Sequence, residues 1–199
     1  MFARHGTFYI RNGWLRKGLK ALKKNKDIFS PSNIGDGIDE LGLGRVMVES
    51  LRYWLDVLDL TYEYREKGLV YKSITKFGEM ILENDEYFER KGTLWLLHYK
   101  LATNKDMATS WYWFFNRFKY DRFDDDVFIN ELKKYVEIEM KEKVSESSLK
   151  KDLQCIKNMY ILSDDIFKKD IEEAIDCPFR ELKLISEINQ ILPWPIFYR

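Results

Sequence analysis

Arg4, His5, Thr7 and Arg11 form the best constellation in the sequence for acting on a phosphodiester. A histidine flanked by arginines can move a proton while the guanidinium groups hold the phosphate. The alternative is structural: His5 tethers the start of the chain to the core through hydrogen bonds. Metal-assisted cleavage needs two or three convergent carboxylates, and no acid spacing here marks such a site. Asp124, Asp125 and Asp126 precede an amphipathic segment, where acids complement a helix dipole without a metal. His98 lies in the apolar run WLLHYK and reads as a core histidine. The sequence has no glycine-rich phosphate loop, serine elbow or deaminase signature. Cys155 and Cys177, the only cysteines, make neither a zinc site nor a secreted disulfide framework. No metal site or cofactor is expected, apart from a magnesium or manganese ion if the chain nicks DNA. The expected location is a reduced cytoplasm.

Charge is informative in its distribution. The 199 residues carry a formal net charge of zero, which argues against a general nucleic-acid binder. Yet residues 1–26 hold eight basic residues and no acid. Arg16, Lys17, Lys20, Lys23 and Lys24 could form a phosphate-facing patch or simply a solvated face. A transit peptide is disfavoured by Trp14, Gly13 and Gly18, and no apolar run is long enough to span a membrane.

These side chains have to be placed by helices. Trp14, Leu15, Leu19 and Leu22 are spaced as one helix face over Trp14 to Lys24. Ser30-Pro31 reads as a helix start, with Ser30 as the cap, for a second helix to about Glu40. Gly42-Leu43-Gly44 then supplies a tight turn into a third helix from Arg45 to Asp59, with Val48, Leu51, Leu55 and Leu58 inward. Arg45, Glu49, Arg52 and Asp56 face outward, so Arg45 and Arg52 could reach bases or phosphates while the two acids oppose them. Thr61 to Tyr64 and Leu69 to Ser73 read as a hairpin around Glu66-Lys67-Gly68, with Arg65, Lys67 and Lys72 suited to a wing. Thr75 to Leu82 returns to helix. This is winged helix-turn-helix order, used either on DNA or as a protein-interaction module.

Ten aromatic residues follow between Thr93 and Phe123. They could stack on single-stranded bases or form a hydrophobic interdomain core, and the contiguous WYWFF favours a buried helix. Val127 to Lys143 is amphipathic. After it, Ser145 or Ser147 caps a helix with Leu149, Leu153, Ile156 and Tyr160 inward. Its outward face offers Ser147, Lys150, Lys151, Gln154, Lys157 and Asn158, with Asp152 against them. These two segments read as a second helix-turn-helix unit. An acidic helix over Asp164 to Asp176 and strands within Leu182 to Ile188 and Ile196 to Tyr198 complete the chain. The expected class is mainly α with small β wings. A winged helix-turn-helix domain would occupy residues 1–90 and an aromatic-rich helical domain residues 91–199.

The runs FARHGTFYIRNGWLRKG, LGLGRVMVESLRYWL, GTLWLLHYKLAT and ATSWYWFFNRF, in that order, resemble the bacterial family called domain of unknown function 4007. Members accompany phosphoadenosine-phosphosulfate-reductase-like proteins in DNA-phosphorothioation and phage-defence gene clusters. One branch is the B component of the Ssp-type system, to which DNA nicking is ascribed. The resemblance implies a defence accessory that binds double-stranded DNA and nicks it, or one that docks non-catalytically onto a sulfur-transfer partner. Two departures stand out. The family's His-Glu-Thr-Phe is His5-Gly6-Thr7-Phe8 here, which removes a carboxylate. The sequence also stops at Arg199, where many relatives continue.

Overall fold

The computed structural model describes residues 1–161, 177–188 and 196–198. The acidic helix expected over Asp164 to Asp176 lies outside these residues. The chain divides into two compact units, Arg4–Lys100 and Met1–Ala3 with Leu101–Arg199. Among the described residues no helix is long and apolar enough to cross a membrane.

In the first unit, α1 (Trp14–Lys24) buries Trp14, Leu15, Leu19 and Leu22, as their spacing predicts. The second helix starts later than expected. Pro31–Asn33 form a 3-10 turn, and α2 spans only Ile34–Leu41. Ser30 makes no capping bond because its hydroxyl is engaged with that of Ser32 at 2.9 Å. Gly42 ends α2 at φ 61°, a left-handed conformation that favours glycine, and its N–H donates to the Ile38 carbonyl at 2.9 Å. Gly44 has an ordinary extended backbone, so only one glycine of the turn is conformationally required.

The helix α3 (Arg45–Val57) buries Val48, Leu51 and Leu55, with Leu58 just beyond its end, under the rest of the unit. Trp54 is also fully buried. Its indole N–H donates to the Phe8 carbonyl at 3.0 Å, and the Ser50 hydroxyl donates to the same oxygen at 3.3 Å. The chain then forms an antiparallel hairpin of β1 (Thr61–Glu66) and β2 (Leu69–Ile74), in register from Thr61↔Ile74 to Glu66↔Leu69. Lys67 and Gly68 have φ of 49° and 80°, the backbone of a two-residue type I′ turn. Thr75 caps α4 (Lys76–Asn84) by accepting from the Gly78 N–H at 2.9 Å, and α5 (Lys91–Thr103) follows.

Two charged side chains depart from the sequence reading. Lys72, expected on an exposed wing, is 2% exposed. Asp56, expected on the outward face of α3, holds it. The Lys72 ammonium contacts both Asp56 carboxylate oxygens, and the Thr61 hydroxyl donates to Oδ1 at 2.6 Å. The backbone of Lys72 is fixed at the same place, its N–H donating to the Lys26 carbonyl at 2.9 Å. Burial pushes the Lys72 pKa below its usual value, while Asp56 pulls it back up.

The second unit contains α6 (Thr109–Asn116), β3 (Arg122–Phe123), α7 (Asp125–Tyr135) and α8 (Glu146–Tyr160). A π-helical turn, Val136–Met140, follows α7 and ends at Lys141 with φ 57°, so the expected helix to Lys143 is cut short. The strands β4 (Ser186–Ile188) and β5 (Ile196–Tyr198) pair antiparallel, and β5 also takes β3 on its other edge. Trp113, Phe114, Phe118, Phe123 and Phe128 form the ring core of this unit. Phe128 meets Trp113 edge-on at 5.2 Å, and Phe123 meets Phe118 likewise at 5.0 Å. Not every ring is inside: Trp95, Tyr99 and Tyr120 are exposed.

Removing one partner of a buried ion pair leaves the other charge uncompensated. Asp56→Ala is therefore expected to lower unfolding free energy by about 3–5 kcal/mol in urea titrations. Adding Lys72→Met should recover much of that loss. An unchanged urea midpoint in Asp56→Ala would contradict the structural role given to the pair.

Candidate nucleic-acid interface

The exposed face of α8 is the best-formed polar surface among the sequence candidates. Ser145 caps the helix by accepting from the Ser148 N–H at 3.2 Å. Leu149, Leu153, Ile156 and Tyr160 are buried as their spacing predicts. Lys150, Lys151 and Gln154 are exposed, and Lys157 and Asn158 are half-buried. The acid expected to oppose them is not on this face. Asp152 is 1% exposed, accepting from the Ala3 N–H at 2.8 Å and from the Ser110 hydroxyl at 2.5 Å. Its inward turn leaves Glu146 as the carboxylate of the helix beside the lysines. Glu146 pairs with Lys150 at 2.5 Å, and this partner holds its carboxyl below the usual range. Lys157 reaches Asp125 at 3.1 Å, and the Gln154 amide donates to the Asn158 side chain at 3.0 Å.

The basic face of α1 is built differently. Arg16 and Lys20 both meet Glu86, with Arg16 Nε at 3.0 Å, and Arg16 lies over the Tyr87 ring at 4.4 Å. Lys23 pairs with Glu79 at 3.1 Å and Lys24 with Glu40 at 2.5 Å, while Lys17 donates to the Leu41 carbonyl at 3.3 Å. These cations hold α1 to neighbouring segments of its own unit. On α3, Arg45 pairs with Glu49 at 3.3 Å along the helix, and Arg52 meets Glu63 on β1.

Arg4 is exposed, and Arg11 is half-buried between the rings of Tyr9 and Trp14, at 5.8 and 5.7 Å. His5 is fully buried and stacks on Trp54 at 6.0 Å. Gly6 has φ +57°, and an added Cβ would lie 3.1 Å from Val46 Cγ1. A larger side chain at position 6 would be strained in this backbone.

A magnesium ion takes oxygen ligands in near-octahedral order. Among the described residues no three His, Cys, Asp or Glu side chains gather at one point. The acid triplet does not fit such a cage: Asp124 caps α7 by accepting from the Val127 N–H at 2.8 Å, and Asp125 holds Lys157. Burial pushes the Cys155 thiol well up, which keeps it a packed thiol rather than a nucleophile. Apolar spacing does not mark Asp56 and Asp152 as inward, because a carboxylate on a helix looks the same whether it meets solvent or a partner inside the fold.

The chain is thus mainly helical, with a small hairpin after its first three helices and a short sheet near its end. It belongs to the family described as "Protein of unknown function (DUF4007)", which it matches over residues 2–195. It is similar to two solved structures, "SspB crystal structure" and "Magnesium ion-bound SspB crystal structure". Each is 31% identical with a TM-score of 0.84, and each match covers 100% of this chain and 59% of the solved one. The chain therefore spans 59% of the length of those SspB chains. No curated protein matches it.

His98, expected in the core, is 9% exposed, and burial lowers its pKa to about 4. The unfolded chain then binds more protons than the folded one between about pH 4 and 6.5. The stabilisation is complete above pH 6.5 and is lost as pH falls toward 4, by about 3 kcal/mol at most. Urea titrations across this range should show the loss, and His98→Phe should flatten it. An equal slope in the variant would contradict the assignment.

Proposed function

We propose that this chain is a DNA-binding accessory protein of a bacterial DNA-phosphorothioation and phage-defence system, gripping duplex DNA with the exposed face of α8. The observation that carries the DNA-binding part is the inward turn of Asp152. It leaves lysines, amides and a serine on one helical face, the groups that contact phosphates and base edges. With α7 as the preceding helix, α8 serves as the recognition helix of a helix-turn-helix unit. The likeness to SspB supports the choice of system, and partners there would include a phosphosulfate-reductase-like protein. The α2–α3 turn and hairpin supply a second, winged unit, with Arg45 and Arg65 at its surface. Arg16, Lys20, Lys23, Lys24, Arg45 and Arg52 would contribute less, because each already has an acidic partner, whereas exposed Lys151 of α8 has none among the described residues.

Salt-titrated binding to a duplex tests this reading. Log affinity should fall linearly with log salt. Lys150→Glu with Lys151→Glu should weaken binding about tenfold or more and flatten the slope by about two. Unchanged affinity would remove α8 from the interface. Comparing phosphorothioated with unmodified duplexes tests the link to the modification system.

Nicking is the finer activity that the resemblance implies, with Arg4 and Arg11 on the phosphate and His5 as the proton carrier. Supercoiled plasmid with magnesium or manganese would then yield open circles. Exposed Arg4 is the cleaner probe, because His5 packs in the core. Arg4→Ala should slow nicking about tenfold, a loss typical of one phosphate-stabilising group. Nicking at the wild-type rate would sink the assignment. A second reading, a module that docks onto a sulfur-transfer protein, is favoured by exposed Trp95, Leu96 and Tyr99 on α5.

A further inference from the structure

A cleft of about 490 Å³ opens on the second unit beside the π-helical turn, away from any residue given a role above. Its floor is Trp113, packed at 4.9 Å against Phe118. Tyr120 forms one edge, its ring 5.3 Å from that of Phe118 and 47% exposed. Ile138, on the π-helical turn, lines the cleft while 71% exposed, an unusual position for an apolar side chain. Such turns recur at functional sites.

The charges around these rings are unevenly committed. Glu131 is held by Lys134 at 2.6 Å. Arg117 stands 4.0 Å from Glu139, and both are more than half exposed, so the guanidinium is only loosely held. Lys119 is exposed and bonded to nothing among the described residues. The lining thus carries three cations against two acids.

We infer that this cleft takes a nucleotide of single-stranded DNA. The base would stack on the Tyr120 face beside Ile138, and the adjoining phosphates would lie on Lys119 and Arg117. An exposed ring offers a π-face that any base can cover, and a neighbouring cation serves the backbone. A paired base cannot enter, because its faces are covered within the duplex. No α8 residue lines the cleft, so the inference goes beyond duplex binding and does not require it.

The test uses the full chain and an oligothymidylate of about twelve nucleotides, within the footprint of single-strand binders, carrying one 2-aminopurine. Stacking in the cleft should quench the 2-aminopurine fluorescence at low salt. Tyr120→Ala should weaken single-strand binding about fivefold or more and abolish most of the quench, while Tyr120→Phe retains both. Lys119→Ala should weaken binding and reduce the salt slope by about one. Affinity for a matched duplex should stay within about twofold in these variants, an additive response of separate surfaces. The inference is overturned if the wild-type protein fails to bind the oligonucleotide, or if Tyr120→Ala binds and quenches as wild type does. Loss of duplex binding in the α8 lysine variants, or its absence, bears only on the α8 reading.

Discussion

An ionised carboxylate taken out of water must find a cation or several hydrogen-bond donors, and two helices of this protein are organised around that constraint. Asp152 of α8 enters the second unit and meets the Ala3 N–H and the Ser110 hydroxyl. Asp56 of α3 turns inward on the first unit, toward Lys72 and Thr61. The Asp152 bonds tie α8 to segments far away in sequence, while those of Asp56 tie α3 to the hairpin that follows it. Each also fixes the rotation of the helix, and so decides which side chains remain on the outside.

The outcome differs between the two helices. On α8 the inward acid leaves a face of lysines, amides and serine whose remaining carboxylate is matched by Lys150. On α3 the inward acid leaves Arg45 beside Glu49 and Arg52 against Glu63. Helix α1 carries the densest basic run, but Glu40, Glu79 and Glu86 take up most of it. Zero net charge therefore does not mean a uniform surface. Most cations of α1 and α3 meet acids, whereas on α8 Lys151 is exposed without an acidic partner among the described residues.

Where apolar spacing sets the structure, the sequence was readable. The faces of α1, α3 and α8 came directly from periodicity, and the hairpin from its glycine turn. Helix α2 starts later than Ser30-Pro31 suggests, because the Ser30 hydroxyl meets that of Ser32 and makes no bond to a helix N–H. Charge pairing is less legible, since a lysine at position 72 looks the same on an exposed wing as buried against a half-buried aspartate. The short strand β3 is invisible for a similar reason: two residues show no alternation, and its partner β5 lies about 75 positions away. On α8 the apolar spacing predicts which side chains are buried, but the inward direction of Asp152 depends on Ala3 and Ser110. The Arg4, His5 and Arg11 cluster stands out by residue type alone, whereas the burial of His5 is a property of the tertiary structure.

Likeness to the SspB structures places this fold among relatives, and the inward turn of Asp152 gives it a specific surface. Amide hydrogen exchange, followed by mass spectrometry with and without duplex DNA, compares the basic surfaces directly. New protection is expected in peptides covering residues 145–160, with little change over residues 14–24. Protection confined to residues 14–24, with residues 145–160 unchanged, would contradict the placement of DNA on α8.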